Sequence, residues 1–208
     1  MGNREDLLSG AKRCLLEKGY DRITVRDITT AAGGVSMAAI GYHFGSREEL
    51  LTAALLEALE EWGAKALGPV LAESATTGVV GQRRFEDSWD RMIETFTAQR
   101  KLWLASVQAF VQGEHSEEIR KQLAAGQQEG RRGMVASLKG VEESEVPADM
   151  VRSMGSVQMA LISGLMMQWL NDPESAPTGA EIAKGLRELV ACLGSPPESG
   201  GKKRGRGR

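Results

Sequence analysis

The chain has 208 residues, 41% of them hydrophobic and 26% charged, which is long enough for one or two domains with a buried core. Its formal net charge of -2 excludes a uniformly basic nucleic-acid coat protein and a highly charged disordered chain. No apolar stretch reaches the roughly 18 residues of a membrane span, and the polar start MGNREDLLSG is unlike a secretory signal. The distant cysteines Cys14 and Cys192 do not indicate a disulfide framework. We expect a soluble cytoplasmic protein with no membrane partner.

Apolar residues recur at helical spacing along almost the whole chain, which predicts an all-α fold. A first helix ends before Gly19, a typical C-cap residue. Thr24 then opens a short second helix that continues to about Ala32. Gly33 and Gly34 interrupt the pattern, which predicts a turn at this point.

A third short helix is predicted from Ser36, whose hydroxyl can cap it, to about Phe44. The sequence Ser46-Arg47-Glu48-Glu49 is typical of a capping box and opens a fourth helix. Glycine and proline predict a loop or frayed region after that helix, at Gly68, Pro69, Gly78 and Gly81. Later helices are predicted at about 83–98, 101–113, 116–139, 148–170 and 178–193, with a polar linker at 142–147.

The two short helices after the first one are the parts of a helix-turn-helix motif. A helix that enters the DNA major groove needs a small leading face, which Ala38, Ala39 and Gly41 supply. Ile40 and Phe44, four residues apart, are expected to point into the core. On this pattern alone, an ordinary three-helix bundle with a glycine turn remains the alternative.

The run from Glu17 to Leu50, EKGYDRITVRDITTAAGGVSMAAIGYHFGSREEL, resembles the DNA-binding domain of the TetR family of transcriptional regulators. The matching motifs are Gly-Tyr after the first helix, Thr-Val-Arg-Asp-Ile, Ala-Gly-x-Val-Ser, Ile-x-Tyr-His-Phe and Ser-Arg-Glu-Glu-Leu, in that order. The family usually has one glycine in the turn, whereas this chain has Gly33 and Gly34. We expect positive φ angles at both glycines to absorb the extra residue.

The resemblance implies three regions of the chain. Residues 1–47 would form the helix-turn-helix domain, and 48–195 a helical regulatory and dimerisation domain. Residues 196–208 include the basic sequence GKKRGRGR and are expected to be disordered. This tail is either a solubilising remnant or a nonspecific phosphate-binding arm.

The resemblance also implies which residues contact DNA. Hydroxyls and amides at helix N-termini would bind phosphates, and the recognition helix would meet base edges. The implied contacts are Thr24, Arg26, Ser36, Met37, Ala38, Ala39, Tyr42, His43 and Arg47. For Arg26, which suits a guanine edge, the alternative is an ion pair with Asp27 or Asp21.

In this family the C-terminal helices enclose a ligand cavity. Large apolar side chains suited to an adaptable pocket recur in these helices. The candidate ligand-binding residues are Phe96, Trp103, Phe110, Met166 and Trp169. The alternative is that they only fill the core. A tryptophan in place of Ala105 is expected to fill the pocket.

The same helices would form a homodimer interface. The segment SMGSVQMALISGLMMQWL is apolar on nearly every face, so it should be buried both in its own domain and against a partner. The last helix adds a second apolar stripe, and two copies of each helix make a four-helix interface. The candidate interface residues are Val157, Leu161, Leu165, Ile182, Leu186 and Leu189.

The resulting hypothesis is a dimeric, ligand-responsive regulator, most simply a repressor. It would bind a palindromic double-stranded operator and be released by a small apolar or aromatic effector. The fourth helix would link the two domains. The alternative is a helical small-molecule-binding protein or enzyme without a role in DNA binding. We find no catalytic motif, cofactor-binding motif or cluster of metal ligands in the sequence, so neither an enzyme nor a cofactor is expected.

Overall fold

The computed structural model describes residues 3–75 and 82–193, and all regular structure in these ranges is helical. No helix in these ranges is long and apolar enough to cross a membrane. The helices are α1 (Asn3–Lys18), α2 (Val25–Ala31), α3 (Ala38–Phe44), α4 (Arg47–Ala75), α5 (Gln82–Ala98), α6 (Arg100–Gly113) and α7 (Glu117–Lys139). Helical segments Ala148–Met150, Val151–Gly155 and Ser156–Asn171 follow one another and together form α8, and α9 is Gly179–Leu193. The predicted all-α fold is confirmed.

Capping residues and glycines set the helix boundaries in the N-terminal region. α1 ends before Gly19, which has a φ angle of 76°, and a 3₁₀ turn at Tyr20–Arg22 leads to α2. Thr24 caps α2 in a reciprocal capping box with Asp27. Gly33 and Gly34 have φ angles of 84° and 87°, so both adopt the conformation expected for the longer turn.

Two boundaries differ from the predictions. α3 begins at Ala38 rather than Ser36, although the Ser36 hydroxyl still accepts a hydrogen bond from the Ala38 amide (3.3 Å). The predicted loop at Gly68 and Pro69 is wrong, because α4 continues through both residues to Ala75. Helix-forming residues on both sides, among them alanine and leucine, outweigh the two local breakers. Gly78 and Gly81 lie outside the described residues.

The later helices follow the predicted order closely. The polar linker contains a 3₁₀ turn at Glu143–Glu145. α8 is irregular near its start, where Val151–Gly155 is π-helical. A Cβ atom at Gly155 would lie 2.8 Å from the Arg131 carbonyl oxygen, so α7 and α8 approach each other closely here. The irregular turn thus lies at a tight helix–helix contact.

The described core has two main parts. The N-terminal core is formed by α1, α2, α3, the first half of α4 and one face of α6, where Leu102, Ala105 and Ala109 are buried. The C-terminal core is formed by α5, α8 and α9. A later part of α4 and another face of α6 also pack into it. Its buried members are Trp89, Met92, Ile93, Phe96, Trp103, Leu165, Met166, Leu170 and Ile182. Both α4 and α6 therefore belong to both cores, and the N-terminal core continues past residue 47.

The glycine turn gives a first testable prediction. We expect Gly34→Ala to lower the free energy of unfolding by about 1–2 kcal/mol, because an L residue is strained at positive φ. An added Cβ at Gly34 meets no atom within 4 Å, so the change isolates backbone strain from steric clash. Urea unfolding measures the effect.

Gly63→Ala is the matched control. Gly63 lies in α4, where an added Cβ is also in open space. Alanine is favoured over glycine inside a helix by up to about 1 kcal/mol, so this variant should be at least as stable as the wild type. Equal stability of the two variants would contradict the strained turn.

Candidate nucleic-acid interface

The recognition helix α3 has one buried side and one exposed side. Ile40 is buried in the N-terminal core, whereas the Tyr42 side chain is 86% exposed and Met37 is 63% exposed. Ser36 and Ala38 are exposed and Ala39 is half-buried against the core. The fold therefore leaves Met37, Ala38 and Tyr42 open to solvent, while Ala39 packs partly against the core.

Tyr42 and His43 form an aromatic pair at the C-terminal end of α3. Their ring centroids lie 4.8 Å apart with an interplanar angle of 82°, which is an edge-to-face contact. His43 is half-buried, so its ring supports the exposed tyrosine from one side. Phe44 was expected in the core and is only half-buried at its edge.

The start of α2 is fixed by a hydrogen-bonded cap. The Thr24 hydroxyl donates to Asp27 Oδ2 (2.8 Å) and accepts from the Asp27 amide (3.1 Å). Asp27 also pairs with Lys18. The Lys18 ammonium, with the amide and hydroxyl of Thr24, holds the pKa of the Asp27 carboxyl well below its usual range.

Arg26 stays exposed beside this cap. Asp27 pairs with Lys18, and the Asp21 carboxylate accepts a hydrogen bond from the Gln108 side chain. Neither aspartate pairs with Arg26 among the described interactions, so the alternative ion pair is not formed. The guanidinium is open to solvent on the same domain as α3.

Arg47 was expected to contact a phosphate, but its guanidinium already interacts with other residues of the protein. It is half-buried at the start of α4, where its guanidinium donates to the Tyr20 carbonyl (3.1 Å) and pairs with Glu48 (2.6 Å). Its Nε atom is buried without a partner in the described part of the chain. Arg47 thus joins α4 to the turn that precedes α2.

Sequence reasoning missed Arg4. Its guanidinium lies 5.1 Å from the centre of the Phe44 ring, which places a basic residue of α1 beside the end of α3. The two positions are forty residues apart in the chain and lie on different helices, and no sequence motif links them. Only the packing of α1 on α3 brings this charge to the recognition helix.

The candidate ligand-binding residues are mostly brought together. Phe96, Trp103 and Met166 are buried in the C-terminal core and Trp169 packs against it. The structure does not bring Phe110 to this group, because its side chain is 61% exposed. Ala105 lies in the N-terminal core, on the side of α6 away from Trp103. The expectation that a tryptophan at Ala105 fills the pocket is therefore wrong.

The candidate interface residues divide into three groups. Val157 and Leu189 are exposed, at 58% and 63%. Leu165 and Ile182 are buried inside the protomer by neighbouring helices, while Leu161 and Leu186 are half-buried against the C-terminal core. The exposed apolar surface also includes Met167 on α8 and Val190 and Leu193 on α9. We call the exposed set Val157, Met167, Leu189, Val190 and Leu193 the apolar face.

The short α2, glycine turn and exposed α3 define a helix-turn-helix protein. The model of bacterial regulatory proteins of the tetR family matches residues 7–54. The repressor AcnR of Corynebacterium efficiens is 43% identical over 53 residues, covering 26% of this chain and 28% of that protein. AcnR of Corynebacterium glutamicum is 45% identical over 51 residues, covering 24% and 27%. Residues 7–54 of this chain are thus similar to the DNA-binding region of TetR-family regulators.

The likeness to these repressors is confined to less than a third of their length. Beyond it, the fold itself is shared with solved structures. A candidate TetR-family regulator from Rhodococcus sp. has a TM-score of 0.60 at 23% identity, with 91% of this chain and 99% of that chain covered. The predicted fold class, an N-terminal helix-turn-helix followed by a helical C-terminal region, is confirmed.

Proposed function

We propose that this protein is a dimeric transcriptional repressor that binds a palindromic DNA operator and is released by a small-molecule effector. The observation that carries the proposal is the two-sided recognition helix, with Ile40 buried and Tyr42 exposed. A helix held by its buried side and bare on the other can enter the major groove. Such a regulator would act on DNA in the cytoplasm.

The DNA contacts follow from the exposed surface. Met37, Ala38 and Ala39 at the start of α3 would approach base edges, while Tyr42 and His43 would contact phosphate or bases. Ser36 and Thr24 would offer hydroxyls or amides to phosphates at helix starts. Arg26 would supply a solvent-exposed guanidinium.

Two arginines would also contribute to binding of the DNA backbone. Arg4 stands beside the end of α3 and would reach a phosphate. Arg47 would contribute through the start of α4, which it fixes to the Tyr20 carbonyl. Arg4 would add to the salt dependence of DNA binding, whereas Arg47 would act by holding the start of α4 in place.

The apolar face supports the dimer. Its side chains on α8 and α9 stay exposed in one protomer, and water-exposed apolar area of this kind favours association. A two-fold axis through this face would pair α8 and α9 with their copies in the partner. Two recognition helices would then meet two half-sites at a fixed spacing.

Release by an effector would pass through the helices that belong to both cores. α4 contributes Leu55 to the N-terminal core, packs Trp62 against the C-terminal core, and is tied to α1 through Lys12 with Glu57 (2.7 Å) and Glu61 (2.6 Å). A ligand that binds only one arrangement of α4 and α6 would shift the population of DNA-competent dimers.

The test of this function begins with selection of bound duplexes from a random pool. Tyr42→Ala should then weaken binding to the selected duplex by about 1–3 kcal/mol, at least several-fold, with no change in unfolding. Tyr42 is exposed, so its removal leaves no cavity. Binding titrations at several salt concentrations measure the effect, and the wild type should show a steep salt slope.

Ile40→Ala is the contrasting variant. Ile40 is 3% exposed, so its truncation should cost about 2–5 kcal/mol of unfolding free energy by opening a cavity. Failure of the pool to yield a bound duplex would refute the proposed function. Wild-type affinity in Tyr42→Ala would refute the assigned DNA-facing side.

A further inference from the structure

The tryptophans of the C-terminal core differ in their hydrogen bonding. Trp103 donates its indole N–H to the Thr95 carbonyl (3.2 Å). The indole nitrogens of Trp62 and Trp169 are buried as well, and neither has an acceptor within the described part of the chain. Both side chains pack against the same core as Trp103. Among the described residues, two indole donors of this core therefore lack the acceptor that Trp103 has.

A buried donor without an acceptor is unfavourable, because folding removes its hydrogen bond to water and does not replace it with another. Proteins satisfy almost all such groups, and an exception marks a strained or functional position. The indole nitrogens of Trp62 and Trp169 are shielded from solvent, so bulk water does not satisfy them. An acceptor that arrives with a bound molecule would.

The surroundings of these donors are apolar and adaptable. Trp103 meets Trp62 (centroids 4.8 Å apart) and Phe96 (5.1 Å) in edge-to-face contacts. Met92 and Met166 complete the same core, and methionine side chains can shift to admit a ligand. The site would therefore bind an apolar body of adjustable shape.

None of the buried side chains in the described residues is charged. The buried polar side chains of the described residues are Thr29 and Thr52, on α2 and in the N-terminal half of α4. Among the described residues, an anionic ligand would find no buried cation to pair with and a cationic ligand no buried carboxylate. The edge-to-face contacts also occupy aromatic surface that a cation would need. A neutral ligand is favoured.

We propose that the effector is a neutral, largely apolar molecule with a hydrogen-bond acceptor oxygen, such as a ketone or ester, that binds the indole N–H of Trp62 or Trp169. The inference rests on the proposed function, since it specifies the effector of that regulator. It also predicts that an alkane of the same shape binds without engaging either indole.

Indole N–H resonances of the ¹⁵N-labelled full-length protein test this directly, with each tryptophan assigned from its Trp→Phe variant. Cyclohexanone is the probe and methylcyclohexane is its counterpart without an acceptor. Cyclohexanone should move the indole proton of Trp62, Trp169 or both downfield in a saturable manner, and methylcyclohexane should not. Trp103 is the internal control, because its N–H already donates to Thr95.

Trp→Phe variants give a second measurement. Trp62→Phe and Trp169→Phe remove a donor that has no partner, so each should lower the thermal midpoint less than Trp103→Phe, which loses a formed hydrogen bond. The variant of whichever tryptophan shifts should bind cyclohexanone at least several-fold more weakly. Equal destabilisation of all three variants would show that every indole has an acceptor and would overturn the proposal.

Two further outcomes would overturn it. One is the absence of any saturable indole shift with cyclohexanone, and the other is a shift produced instead by tetramethylammonium. The operator titration keeps these results separate from the proposed function. A wild type that binds its selected duplex but shows no indole response would refute only the effector chemistry. A response without duplex binding would refute only the regulator.

Discussion

Replacing Leu189 by Glu should separate the proposed dimer into folded monomers. Leu189 is 63% exposed in the protomer, so a carboxylate there stays hydrated when the protomer is alone. In the dimer the same carboxylate would be buried against the apolar face without a partner, at a cost of several kcal/mol in each of two symmetric copies. We expect the dissociation constant of the dimer to rise by at least a hundredfold, as measured by sedimentation equilibrium.

Lys184→Glu on the same helix is the matched control. Lys184 is exposed and forms an exposed ion pair with Glu188 (3.9 Å), which contributes little to stability. This variant changes the charge by two units, yet it should stay dimeric. A Leu189→Glu protein that sediments as a dimer, or a wild type that is monomeric at micromolar concentration, would contradict the apolar face as the interface.

The sequence predicted α1 to α3 well, because each signal there is local. A glycine at the end of a helix, a Thr-x-x-Asp cap and two glycines in the turn each require a particular backbone. The motif order then indicated the helix-turn-helix before any contact was known. The contact of Arg4 with Phe44 was not predictable, since it depends on how α1 packs on α3.

In α8 the sequence could not say which apolar residues face inward. A helix that is apolar on nearly every side has no periodic stripe to read. The structure buries Leu165 inside the protomer and leaves Val157 exposed, although both are aliphatic and were assigned to the same interface. Phe110 was assigned to the ligand pocket because it is a large aromatic residue, yet its side chain is 61% exposed.

α6 packs into both cores, which the sequence did not indicate. Its Leu102, Ala105 and Ala109 are buried in the N-terminal core, and Trp103 is buried in the C-terminal core. The Lys101 ammonium donates to the Glu17 carbonyl, and the Gln108 amide donates to Asp21. α6 is therefore attached directly to α1 and to the 3₁₀ turn that follows it.

Ala105→Trp should consequently damage the DNA-binding domain rather than fill an effector pocket. Ala105 is fully buried between α6 and the N-terminal core, and an indole there must push α6 away from its neighbours. Overpacking of this size costs about 3 kcal/mol or more. We expect lower stability in urea and weaker binding to the selected duplex in the absence of any effector.

Leu104→Trp separates this effect from the mere addition of an indole. Leu104 is the adjacent residue of α6 and is 39% exposed, so a larger side chain there can extend into solvent. That variant should have the same free energy of unfolding and the same affinity for the selected duplex as the wild type. If Ala105→Trp instead matches Leu104→Trp in both measurements, α6 does not hold the DNA-binding domain. In that case the contacts of α6 with α1 do not stabilise the DNA-binding domain. Effector binding near Trp103 would then be coupled to the recognition helices through α4 alone.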